Sequence, residues 1–85
     1  MQLTGDAATG PASPQAARTD QLMGSTEENL KKLTGRQLSA SQQDMVTQIR
    51  QYMEQAKAAI ASGDTERGRS LALKANLLSQ DLTKQ

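Results

Sequence analysis

Cysteine and histidine are absent from this sequence, and Tyr52 is its one aromatic residue among 85. Without cysteine there is neither a disulfide framework nor a thiolate metal site. Without histidine the commonest general base and metal ligand is missing. Any core must therefore be built from Leu, Ile, Val, Met and Ala. No apolar run approaches the roughly 20 residues that span a bilayer. The opening MQLTGDAATG has neither the basic nor the apolar region of a secretory signal. Charge of one sign is also missing. Ten Lys and Arg against nine Asp and Glu leave a formal charge of +1. That balance creates no field to draw in nucleic acid or an anionic membrane. None of these absences indicates a compartment.

Catalytic patterns are lacking as well. The carboxylates are scattered, and none stands with a nucleophile and a base in a readable pocket motif. Glycines occur singly, with no phosphate-cradling G-x-x-x-x-G-K loop. Serines and threonines fall at helix starts and on polar faces. The chain reads as a non-enzyme, with no catalytic residue, cofactor or metal site.

What is present is helical rhythm. Val46, Ile49, Met53, Ala56 and Ile60 recur at spacings of 3, 4, 3 and 4. Gly68, Leu71, Ala75, Leu78 and Leu82 repeat a 3-and-4 rhythm on a second segment. This is the period of two helices packed side by side. Between them stands Ser62-Gly63-Asp64. Gly63 can adopt positive φ and close the first helix, and Asp64 can cap the second. So short a connection predicts a long antiparallel hairpin over residues 39–62 and 65–83. At the other end, Ser39 with Gln42 forms one candidate capping box, and Ser41 with Asp44 a competing frame. Gly68 inside a helix implies a close backbone approach to the first helix, because it otherwise costs about 1 kcal/mol. Glu54 and Lys57 are placed to pair on the outer face.

Ahead of the hairpin, Ser25-Thr26-Glu27-Glu28 resembles a capping box, Lys31 and Lys32 suit a last turn, and Gly35 suits a closing residue. These signals predict a short helix over 26–34 with Leu30 and Leu33 on its buried side. Residues 1–20, rich in Gly, Pro, Ala, Ser and Thr, read as a flexible tail or a linker. Leu22 and Met23 belong either to that tail or to the domain over 21–85. The expected fold class is all-α, and a linker would make the chain part of a larger bacterial protein.

Two leucines do not fit the hairpin seam. Leu73 and Leu77 lie one turn apart, on the side away from Leu71, Ala75, Leu78 and Leu82. Either the short helix covers them or they form a self-association or partner surface. Met45 and Tyr52 form a second candidate surface row on the first long helix. About seven large seam side chains are too few to hold a bare hairpin, so it needs the short helix, a second copy or a neighbouring domain. Arg67, Arg69 and Lys74, with Arg50 and Lys57 on the first long helix, form a modest basic group. They are candidates for an anion or nucleic-acid contact, although interleaved acids and the lack of stacking aromatics make nucleic acid the weaker reading.

Over 52–82 the chain resembles a single tetratricopeptide-type α-hairpin. Tyr52 precedes the small Ala56, Gly63-Asp64 makes the turn, and Gly68 and Lys74-Ala75 follow in the second helix. Ala59 and Ala72 stand where that family usually has bulky residues, no proline follows, and no second repeat is present. The 30–82 region also resembles helical-hairpin tails of larger uncharacterised bacterial proteins. In the tetratricopeptide family stacked hairpins build a groove that binds peptides or partner proteins, so that resemblance implies an interaction role. The expected function is thus a non-enzymatic protein–protein interaction or assembly module, with anion or nucleic-acid binding as the alternative.

Overall fold

The computed structural model describes residues 14–85, with side chains from Ala17 onward. Its elements are α1 (Pro14–Leu33), α2 (Ala40–Ala61) and α3 (Thr65–Thr83), with no strand among the described residues. The all-α expectation holds.

The two long helices begin and end where their local chemistry dictates. Ser39 accepts from the Gln42 amide at 3.1 Å, and the Gln42 side chain accepts from the Ser39 amide at 2.8 Å. This reciprocal box settles the choice between Ser39 and Ser41. At the other end of α2, Gly63 has φ of 90°. Its amide donates to the Ile60 carbonyl at 3.0 Å, and the Asp64 amide donates to the Ala59 carbonyl at 2.8 Å. These two bonds satisfy the carbonyls that a helix end leaves open. Asp64 then accepts from the Arg67 amide at 3.3 Å and starts α3.

Contacts at both ends show how α2 and α3 run. Gly68 lies against Ala56 and Ile60 near the turn, while Gln42 Nε2 donates to Gln85 Oε1 at 3.1 Å at the far end. The start of one helix thus meets the end of the other. A Cβ on Gly68 would stand 2.5 Å from Ile60 Cγ1 and 3.2 Å from the Ala56 carbonyl oxygen. Only a residue without a side chain permits that approach. Ile49, Met53, Ala56, Ala75 and Leu82 are buried along the seam, with Val46, Leu71 and Leu78 half-buried beside them.

The region before the hairpin departs from expectation. The short helix expected over 26–34 is a helix of 20 residues beginning at Pro14. Residues 14–20, read as tail or linker, belong to it, and residues 1–13 lie outside the described residues. Gly24 and Ser25 sit exposed inside α1, so the capping box expected at Ser25 does not form. Pro14 is well suited to a first helical position, where its missing amide costs nothing. Gly35 closes α1 with φ of 90°, and Leu30 and Leu33 are buried, as predicted. Met23 joins them in the core.

The reason α1 extends so far is a buried stripe that is partly polar. Thr19, Met23, Thr26, Leu30 and Leu33 repeat at steps of 4, 3, 4 and 3, and all are buried. Asn29 beside them is buried too. They pack on a second face of α3, where Asn76 and Ser79 are buried with Ala72. Asn29 Nδ2 donates to Ser79 Oγ at 2.9 Å, and Ser79 Oγ donates to the Asn76 carbonyl at 2.7 Å. Thr26 Oγ1 donates to the Leu22 carbonyl at 2.7 Å and lies 3.4 Å from Asn76 Oδ1. Thr26 faces Asn76 and Asn29 faces Ser79, so α1 and α3 run in the same direction. The helices therefore go up, down and up, with α3 the one on which both others pack.

Candidate functional site

Among the described residues, Leu73 and Leu77 are the large apolar side chains left most open, at 39% and 54% exposure. α1 does not cover them. It packs on Ala72, Asn76 and Ser79, roughly a quarter turn around α3 at 100° per residue. Leu73 edges a shallow groove beside α1, opposite Arg18, Leu22 and Ser25. Leu77 stands further out. Along the same outward face Glu66, Ser70, Gln80 and Lys84 are all exposed.

The second candidate surface is less open. Met45 and Tyr52 are half-buried and packed against the core. The Lys74 ammonium lies 5.8 Å from the centre of the Tyr52 ring, within cation–π range. Tyr52 is thereby partly occupied by α3.

The basic residues do not converge. Arg67 borders a groove with Gln55, Ala58 and Ser62 on the α2 side. Arg69 is half-buried on the α1 side, near Arg18. Lys74 is drawn to Tyr52. Helical geometry explains the split, since residues two apart point to nearly opposite sides.

A further feature is not visible in the sequence pattern. α1 and α2 splay apart over a cleft of about 520 Å³, with Leu30 and Met53 among its lining. Its rim carries Glu27 and Lys31 on one side and Arg50, Glu54 and Lys57 on the other. Lys57 Nζ is 3.8 Å from Glu54, and both side chains are more than half exposed. Its α1 side is formed by Glu27, Leu30, Lys31 and Thr34, inside the stretch expected to be helical, but which part of α2 that stretch opposes is set by tertiary packing that spacing does not show. The residues that tie α1 in place, Asn76 and Ser79, show no apolar period and were likewise not legible.

Among the described residues no group of three or more acidic side chains could hold a metal ion. Among the described residues no helix is long and apolar enough to cross a membrane. No family model matches the chain, and no curated protein or solved structure matches it.

Proposed function

We propose that the chain is a non-enzymatic interaction or assembly module whose contact surface is the outward face of α3 around Leu73 and Leu77. The observation that supports this is their exposure in the presence of α1. A third helix is available to the hairpin, yet it packs through Thr26, Asn29, Asn76 and Ser79 and leaves the leucine pair open. Adjacent exposed leucines form a patch that a protein partner can bury. The resemblance of residues 52–82 to a single tetratricopeptide-type hairpin points to a role of the same kind. The alternative of anion or nucleic-acid binding has less support, because Arg69 lies on the α1 side of α3 while Arg67 and Lys74, about two turns apart, lie toward α2, with Lys74 held at Tyr52.

A photoreactive residue replacing Leu77 in the producing cells tests the reading. A discrete protein adduct that disappears when Leu73→Glu is added is the expected result. Irradiation that leaves only the uncoupled chain would contradict it.

A further inference from the structure

Glu66, Ser70, Leu73, Leu77, Gln80 and Lys84 follow one another at steps of 4, 3, 4, 3 and 4, and every one is exposed. This is the period of a packed seam, placed on the side of α3 that neither α1 nor α2 occupies. We propose that the stripe pairs with the same stripe of a second copy, antiparallel, about a twofold axis passing between Leu73 and Leu77. The inference rests on the contact-surface reading above and names the occupant of that surface.

Charge and register argue for a second copy. Setting Leu73 opposite Leu77 of the second copy fixes the remaining pairs. Ser70 then meets Gln80 and Glu66 meets Lys84, while on one flank Arg67 meets Asp81. Symmetry makes each pairing occur twice. Both ends of the leucine centre therefore carry opposite charges, using residues that are exposed in the single chain. A parallel alignment would instead set Glu66 on Glu66 and Lys84 on Lys84, which disfavours it. The one like-charge pairing in the antiparallel register is Lys74 with itself. Its ammonium is turned toward the Tyr52 ring on α2 and so away from the axis. Two leucines per copy are a small apolar centre, so the dimer is weak, with a dissociation constant on the order of 10 to 1000 μM.

Sedimentation equilibrium on the full chain at low salt, from about 10 μM to about 1 mM, tests the pairing at the scale that its small interface implies. A monomer–dimer equilibrium is expected, weakened at least about tenfold by Leu77→Ser. Arg67→Glu and Asp81→Arg should each weaken it about tenfold, and together return it to within about threefold of the starting value. An acid at 67 and a base at 81 both suit the dipole of α3, so neither change threatens the fold, and circular dichroism checks this. A chain that stays monomeric over the whole range overturns the proposal. So does a dimer indifferent to Leu77→Ser, or one that the combined charge exchange fails to restore. The cross-link from position 77 separates this from the broader reading. An adduct of twice the chain mass supports self-pairing. An adduct of another mass overturns self-pairing but leaves the contact surface standing, and no adduct overturns both.

Discussion

The two interfaces of α3 are built from different materials. Toward α2 it presents Gly68, Leu71, Ala75, Leu78 and Leu82 to Ile49, Met53 and Ala56, a seam of apolar and small groups. Toward α1 it presents Asn76 and Ser79 to Thr26 and Asn29, with Met23, Leu30 and Leu33 supplying the apolar part. An apolar seam stabilises in proportion to the area taken from water and tolerates small shifts. A hydrogen-bonded one contributes only about 1 kcal/mol per bond net, but leaving a partner unmet costs more. The α2 interface therefore supplies most of the holding energy. The α1 interface sets which residues of α1 meet which of α3.

Substitutions on either side of α3 should break this contrast in different ways. The largest effect is expected from Ile49→Ala, which empties a fully buried site on the α2 side. A loss of about 2–5 kcal/mol is expected, read as a lower urea midpoint for the whole chain. Asn29→Ala removes the bond to Ser79 and should cost about 1 kcal/mol. Its effect should fall on α1, whose amides would exchange faster while the centres of α2 and α3 stay protected. Gly24→Ala sharpens the comparison from the other direction. The position is exposed in mid-helix, and an added Cβ would meet nothing within 4 Å. A gain of about 0.5–1 kcal/mol is expected, again confined to α1.

The same contrast explains what could be read without coordinates. Along α2 and the facing side of α3, burial and hydrophobicity coincide, so spacing alone reveals the seam. Gly63 with Asp64, Gly35 and Gly68 are equally plain, since each performs one job that few residues can, while the Ser39–Gln42 box competes in sequence with Ser41–Asp44. On α1 the two signals part company. Thr19, Thr26 and Asn29 are buried but polar, so the 4-and-3 rhythm running from Thr19 to Leu33 has gaps when only apolar residues are counted. Gly24 and Ser25 then look like a boundary, although the helix passes straight through them. Polar side chains can be buried there because they bond to one another and to helix carbonyls. The partners across the interface, Asn76 for Thr26 and Ser79 for Asn29, lie 50 positions away in sequence, beyond what a local pattern can show.

The candidate surface divides in a similar way. Leu73 and Leu77 stand outside the seam by simple helical geometry, and the structure leaves them open. That they stay open beside α1 could not be foreseen, because which side α1 chooses depends on Asn76 and Ser79. Tyr52 and Lys74 illustrate the converse. By spacing they belong to separate groups, a surface row and a basic cluster, yet the packing of α2 on α3 brings them together. The cleft over Leu30 and Met53 depends on where α1 packs relative to α2, which no local pattern shows.

If α1 is held through a partly polar face while α2 and α3 share an apolar seam, the two parts should open separately. Native-state hydrogen exchange resolved by residue tests this directly. Amides between Met23 and Leu30 should open at a free energy at least about 1 kcal/mol below those between Ile49 and Ala56. Equal protection across both stretches, collapsing together as denaturant is added, would contradict it.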